Sequence, residues 1–198
     1  MNTCENINTV IENKILNRLQ DERWLKSGYE IVKYSPDGYD SNGYYQKDEW
    51  TSIADIGRTF HGQIFTFEEY TKVEDCYVNS VMEIIKISGV KYLTVGYIES
   101  SSEIVDEWYY KTPFSTENAR LYTFAKTLHQ GSQISMTNIP LVVKLCLREC
   151  LYAVLVNLKH NLQVDFGYDY YMHIHTQVDE NILQEIASRN KLFVNPRS

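Results

Sequence analysis

A regular alternation of side chains near the carboxyl end constrains the fold more than any other feature. Two interleaved sets of positions run from Leu162 to His175. The first set is apolar or aromatic: Leu162, Val164, Phe166, Tyr168, Tyr170, Met172 and Ile174. The second set is polar or small for the most part: Gln163, Asp165, Gly167, Asp169, Tyr171, His173 and His175. Successive side chains of a strand point to opposite faces, so the pattern predicts one long strand with a buried face and a solvated face.

Other short segments predict partners for this strand. Leu151 to Leu158 reads as a strand that pairs with it through a turn at 159–161. Two further strands are predicted at Tyr29 to Val32 and at Lys91 to Ile98. Because the strand before the turn and the strand after it run in opposite directions, the sheet should be mainly antiparallel.

Helical spacing and capping residues predict the helices. One amphipathic helix is expected from Glu5 to Gln20. Thr66 and Glu69 form the reciprocal capping pattern that starts a second helix, and Gly89 ends it. The other predictions are a helix after Pro113 and Ser115, a largely buried helix or strand over Ile139 to Glu149, and a last helix capped by Asp179.

These elements together predict an α+β fold, a single domain over residues 1–198 with amphipathic helices packed on a mainly antiparallel sheet. The composition agrees, because 43% of the residues are hydrophobic and 23% are charged. A chain of this length buries about 70% of the surface that its unfolded form exposes. It therefore needs neither disulfides nor a structural metal.

The charge predicts the class of partner. The formal net charge is −7, and residues 1–112 hold 19 acidic and 11 basic side chains. An acidic surface disfavours nucleic acid, whose phosphates need clustered Lys and Arg, and favours a basic protein. No stretch reaches the roughly 20 apolar residues of a membrane span, and no secretory signal is visible, so a cytoplasmic location is expected.

The sequence lacks the common catalytic motifs, namely the glycine-rich phosphate loop, His-Glu-x-x-His and Gly-x-Ser-x-Gly. The alternation places Asp165, Asp169, His173 and His175 on one strand face, where a small metal-dependent hydrolase could hold its metal. Polar strand faces are more often simply solvated, so a structural role is favoured over this alternative.

The cysteines and one charged pair predict core features. Cys4, Cys76, Cys146 and Cys150 are expected to be reduced and mostly buried. Cys146 and Cys150 lie one helical turn apart and could form a reactive dithiol, although thiols in so apolar a segment usually pack in the core. Arg148-Glu149 lies in the same segment, which predicts a buried ion pair or network.

Acidic and aromatic residues cluster in segments predicted as surface loops, and this composition is typical of protein interfaces. Carboxylates would orient a basic partner, and aromatic rings would supply contact area. The predicted partner-binding residues are Asp37, Asp40, Tyr44, Tyr45, Asp48, Glu49, Glu103, Asp106, Glu107 and Trp108.

Several blocks of sequence carry a family resemblance. The first comprises 48–57 (Asp-Glu-Trp-Thr-Ser-Ile-Ala-Asp-Ile-Gly), 66–70 (Thr-Phe-Glu-Glu-Tyr) and Val73-Glu74. The second comprises 145–149 (Leu-Cys-Leu-Arg-Glu) and 166–172 (Phe-Gly-Tyr-Asp-Tyr-Tyr-Met). Together they resemble small cytosolic immunity proteins encoded beside bacterial polymorphic toxins, including those of contact-dependent growth inhibition systems.

The resemblance implies a non-enzymatic protein, without a cofactor, that binds one cognate toxin domain and blocks it. A toxin that cuts nucleic acid has a basic cleft, which an acidic inhibitor could occupy. The sequence leaves two other classes open: the hydrolase described above, and a structural or regulatory subunit.

Overall fold

The chain forms a seven-stranded antiparallel sheet with helices packed against it, which confirms the predicted α+β class. The computed structural model describes residues 13–15, 17–21, 28–112 and 115–196. The strand order is β5-β4-β6-β7-β8-β1-β9, and β2 and β3 form a separate hairpin. The strands are β1 Tyr29–Val32, β2 Thr59–Phe60, β3 Gln63–Ile64, β4 Tyr92–Glu99, β5 Gln133–Ser135, β6 Tyr152–Asn157, β7 Leu162–Phe166, β8 Met172–His175 and β9 Phe193–Pro196.

The described residues contain five α-helices with full ranges beside the sheet, and residues 13–15 and 17–19 are also helical. Residues 5–12 and 16 of the predicted first helix lie outside the described residues. The helices are α1 Phe67–Ile87, α2 Ser102–Lys111, α3 Thr116–Ala125, α4 Ile139–Leu147 and α5 Glu180–Arg189. No helix in the described ranges is long and apolar enough to cross a bilayer.

The predicted capping residues start the helices α1 and α5. The hydroxyl of Thr66 accepts from the N–H of Glu69, and the Glu69 carboxylate accepts from the N–H of Thr66. Asp179 caps α5 in the predicted way, accepting from the N–H of Asn181 at 2.9 Å. These starts are readable in sequence because each cap joins residues only two or three positions apart.

The apolar segment before Arg148 is the helix α4, which settles the choice between helix and strand that periodicity left open. Pro140 lies in its first turn, where a missing N–H costs nothing. Leu141, Val142, Val143 and Leu145 are buried, as predicted for a helix enclosed on most sides. The predicted strand over 151–158 is β6, and it pairs with β7.

The predicted single strand from Leu162 to His175 is wrong. Two strands, β7 and β8, fold back on each other as a hairpin in which Asp165 lies opposite His173. The turn between them contains Asp169 and Tyr170, both with positive φ. Neither residue is a glycine, and the turn residues Gly167 and Asp169 both fall on the polar or small side of the alternation, so the pattern continues through the turn.

The expected solvated face is also wrong. Gln163, Asp165 and His175 are all buried. The second face of the sheet is covered too, since Ile15 packs there against Val154 and Val156 of β6. Polar residues that alternate along a strand therefore lie in the interior here.

The acidic segment after β4, which was predicted as a loop, is the helix α2. The hydroxyl of Ser101 caps it by accepting from the N–H of Ile104 at 3.2 Å. Val105 is its buried residue, and Trp108 packs against the main core. The loop prediction was wrong because this segment has few apolar residues at helical spacing and many charged ones. Its helical pattern is therefore too weak to recognise in the sequence.

A buried ion network joins three helices. Arg148, only 1% exposed, donates two hydrogen bonds to the carboxylate of Glu74, at 2.6 and 2.7 Å. It also donates to Glu117 at 2.8 Å and to Asn118 at 2.7 Å. Burial alone would lower the pKa of Arg148, but its hydrogen bonds to Glu74 and Glu117 outweigh burial and raise it. The predicted network is confirmed for Arg148 and wrong for Glu149, which is exposed.

We expect the change Arg148→Met to lower the free energy of unfolding by about 3–5 kcal/mol, because Glu74 would stay buried without its two-pronged partner. Urea denaturation followed by circular dichroism measures this. The control is Lys72→Met, which breaks the exposed pair with Glu68 and should cost less than about 1 kcal/mol. Equal losses for the two variants would contradict a stabilising role for the network.

Candidate functional site

An open cleft of about 620 Å³ lies at one end of the sheet. Its walls come from distant parts of the sequence: the end of β4, the start of α2, the end of α4, the start of β6 and the β7–β8 turn. The volume falls within the range of roughly 300–1,000 Å³ that is usual for binding pockets.

The floor of the cleft is apolar. It is formed by side chains that belong to the main core: Cys146, Leu147, Cys150, Leu151 and Phe166. Two large side chains stand at its edge in solvent, Ile104 at 48% exposure and Tyr168 at 95%. A floor of this kind with exposed large residues beside it offers contact area to another molecule.

The rim of the cleft is acidic. Glu99, Glu149 and Asp169 line it, and all three are exposed. None of them has an ion-pair partner among the described residues, and no Lys, Arg or His of the described chain lines the cleft. The negative charge here is therefore not neutralised by a direct contact.

Glu149 occupies a position that usually belongs to glycine. It follows Arg148, the residue that caps the end of α4, and has a φ of +56°. The N–H of Glu149 donates to the carbonyl of Cys146, and the N–H of Cys150 donates to the carbonyl of Leu145, each at 3.0 Å. This is the Schellman arrangement that closes a helix, and its left-handed residue is normally glycine. With a glutamate at this position the backbone is strained, and the side chain adds a carboxylate to the rim of the cleft.

The β7–β8 turn shows the same feature. Asp169 and Tyr170 both have positive φ, +56° and +63°, as in the type I′ turn that favours Asn-Gly. The surroundings hold Tyr170 in place, because its hydroxyl donates to the carbonyl of Leu147 at 2.9 Å. Its own carbonyl accepts from the Tyr77 hydroxyl at 2.6 Å. The turn that carries Tyr168 and Asp169 is thereby fixed on the core.

The first predicted partner-binding residues lie in the loop after β1, and two of them are used within the loop itself. Asp40 accepts from the N–H groups of Asn42 and Tyr44, each at 2.9 Å, and so shapes the turn. Asp37 pairs with Lys47 at 2.9 Å. The Tyr44 ring is 69% exposed.

The next two predicted residues fasten the loop to the sheet. The Tyr45 hydroxyl donates to Glu49 at 2.6 Å, and the Lys33 ammonium lies 3.2 Å from the same carboxylate. That ammonium also lies 4.2 Å from the ring centres of Tyr34 and Trp50. Burial lowers the pKa of Lys33. Glu49 is thus a partner of this lysine, while the neighbouring Asp48 is exposed with no ion pair in the described chain.

The second predicted group lies on α2. Asp106 pairs with Lys126 at 2.7 Å, and Glu107 pairs with Lys111 one turn along the helix. Glu103 is exposed and has no ion pair within the described ranges. Trp108 is half-buried and packs against the core. Much of its ring area is therefore used within the protein and is not free to contact a partner.

The cleft borders on both predicted groups through one neighbouring residue each. Thr51, which follows the segment Asp48–Trp50, lines it, and so does Ile104 of α2, beside Glu103. None of the ten predicted partner-binding residues lines the cleft itself.

The structure keeps two of the four residues of the hydrolase alternative together and places the other two elsewhere. Asp165 accepts a hydrogen bond from Nδ1 of His173 at 2.9 Å, and the other ring nitrogen of His173 lies 3.6 Å from Glu30. Asp169 is instead in the turn, and His175 is buried near Gly28. In the described residues, no group of three or more His, Cys, Asp or Glu side chains could hold a metal ion.

The thiols of Cys146 and Cys150 are packed in the core, as the sequence favours, and do not have the properties of a reactive dithiol. Cys146 and Cys150 are buried, and burial raises the pKa of each to about 12. A thiol with so high a pKa is almost wholly protonated at neutral pH and is a poor nucleophile. Cys76 is half-buried, these three are free cysteines, and Cys4 lies outside the described residues.

Sequence reasoning missed the cleft and the roles of Glu99, Glu149 and Tyr168. Glu149 was assigned to a buried pair, and Tyr168 to the buried face of a long strand. One signal was available: the helix α4 has no glycine after its end, so some other residue had to take the left-handed position.

No protein-family model, no curated protein and no solved structure matches this chain.

We expect Glu149→Gly to raise the free energy of unfolding by about 1 kcal/mol, because glycine adopts the left-handed conformation without strain. Urea denaturation is the measurement. Glu149→Gln, which removes the charge and keeps the strain, is the control and should change stability by less than about 0.5 kcal/mol. A glycine variant no more stable than the glutamine variant would show that the backbone at this position is not strained.

Proposed function

We propose that this protein is an immunity protein, an inhibitor that binds a cognate toxin domain and blocks its active or substrate-binding surface. One observation carries the proposal. The loop after β1 and the helix α2, which carry the two acidic and aromatic segments, each contribute one residue to an open cleft that has an apolar floor and an acidic rim. Such an arrangement fits a basic protein surface.

The charge distribution supports a basic partner. A concave surface lined by one sign of charge, with walls of low dielectric constant, concentrates the electric field and attracts opposite charge. The three rim carboxylates contribute negative charge with no ion pair in the described chain. Nucleic acid would be repelled by this surface, whereas a protein with exposed Lys and Arg would be drawn to it.

The toxin is proposed to be a nuclease. An enzyme that cuts nucleic acid needs a positive cleft for phosphate, and an acidic inhibitor can imitate that charge. The family resemblance adds support, because immunity proteins act on one toxin encoded beside them. Inhibition would take place in the cytoplasm, where such a toxin meets nucleic acid.

Co-expression with the toxin domain encoded next to this gene tests the proposal. We expect the wild-type chain to restore growth and to co-purify with the toxin domain. Failure to rescue cells from any toxin encoded beside the gene would overturn the proposed function.

A charge-neutralised triple variant tests the surface. We expect Asp48→Asn, Glu103→Gln and Glu107→Gln together to slow association with the toxin about tenfold and to weaken its salt dependence, because charges at the edge of an interface act mainly on the association rate. Stopped-flow or surface plasmon resonance measures the rate. The matched control, Glu68→Gln, Glu180→Gln and Glu185→Gln on α1 and α5, removes the same charge away from the cleft. Equal slowing by both triples would show that only net charge matters and that this surface is not the interface.

A further inference from the structure

We infer that the cleft is a receptor for an arginine side chain presented by the protein partner. The inference rests on the proposed function, in that it supplies the chemistry by which the partner is recognised. Its probe is independent of any toxin, so the two can fail separately.

The negative charge of the cleft favours the binding of a cation. Elsewhere on the described surface many carboxylates are neutralised by neighbours, as Glu68 is by Lys72 and Asp106 by Lys126. Glu99, Glu149 and Asp169 have no such neighbour within ion-pair distance in the described residues. They come from the end of β4, the end of α4 and the β7–β8 turn. The negative charge of the cleft therefore comes from carboxylates on three different elements.

The apolar floor favours arginine over lysine. The guanidinium group is flat, is more weakly hydrated than an ammonium, and can stack on an aromatic ring while its edge donates to carboxylates. Phe166 and Leu151 lie in the floor, and the Tyr168 ring stands at the edge with 95% exposure and no ring contact in the described chain. Lysine, a compact and strongly hydrated charge, would gain less from these groups.

The size and the edge of the cleft favour a protein as the source of the arginine. A volume of about 620 Å³ accommodates a side chain together with part of the segment that carries it. Ile104 and Tyr168 beside the opening can contact that segment and exclude water around the buried charge, as the surroundings of interface hot spots do.

The backbone that carries two of the rim carboxylates is held in place before a partner arrives. Glu149 is fixed by the backbone hydrogen bonds that close α4, and Asp169 by a turn anchored through the Tyr170 hydroxyl. A preorganised site loses less conformational entropy on binding. Glycine would adopt the left-handed backbone at both residues at less cost.

Nuclear magnetic resonance with small probes tests the inference. The full-length ¹⁵N-labelled chain is titrated with N-acetyl-arginine methylamide, with the lysine analogue, and with the citrulline analogue, which has the shape of arginine without its charge. We expect saturable shifts of the amides of Glu149, Cys150 and Asp169 with the arginine probe, with a dissociation constant on the order of 1 mM. The lysine probe should bind several-fold more weakly, and citrulline should cause no shift.

The double variant Glu149→Gln with Asp169→Asn should weaken the arginine probe by about tenfold or more while the rest of the spectrum is unchanged. The control is Glu68→Gln with Glu185→Gln, which should bind as the wild type does. Absence of shifts at the cleft, equal shifts with lysine or citrulline, or unaltered binding by the double cleft variant would each overturn the inference.

The same titration separates the two proposals. If the cleft binds the arginine probe but the protein rescues no cell from the toxin encoded beside it, the proposed function is refuted and the arginine-binding cleft is not. If the wild-type protein rescues cells but its cleft does not bind the arginine probe, the arginine-binding cleft is refuted and the proposed inhibitor function is not.

Discussion

The buried Arg148 is the interaction on which the rest of the structure depends. Its guanidinium joins Glu74 of α1 and Glu117 of α3 to the end of α4, and Lys144 adds contacts to the same two carboxylates at 3.2 and 2.8 Å. A buried cation is costly unless all its donors find partners, so the three helices must meet in one arrangement. Arg148 is also the residue that caps the end of α4, directly before Glu149. The network therefore positions the cleft as well as the core.

Stability and the proposed binding role conflict at the cleft. Glu149, Asp169 and Tyr170 each adopt a backbone conformation that glycine adopts at less cost. Strain of this kind persists only where surrounding contacts enforce it, and here the contacts are the α4 closure and the two hydrogen bonds of Tyr170. Six residues other than glycine have positive φ in the described part of the chain. Three of them, Glu149, Asp169 and Tyr170, line the cleft, while the others, His61, Asn161 and Lys191, lie elsewhere.

The parts of the fold that could be predicted are those with local signals. The caps at Thr66 and Asp179 involve neighbours in sequence, and the apolar run of α4 is continuous, so all three were readable. The β7–β8 turn was not, because Asp169 and Tyr170 are held in it by tertiary contacts. The cleft was not either, since Glu99, Glu149 and Asp169 approach one opening only through the order of the strands.

Hydrogen–deuterium exchange of the protein alone and in complex with its captured toxin domain tests most directly whether the protein acts by binding through this cleft. Protection of the backbone amides in residues 149–152 and 167–171 on complex formation, with α5 unchanged, is the predicted result. Protection confined to α5 or to other surfaces away from the cleft, with residues 149–152 and 167–171 exchanging as in the free protein, would contradict it.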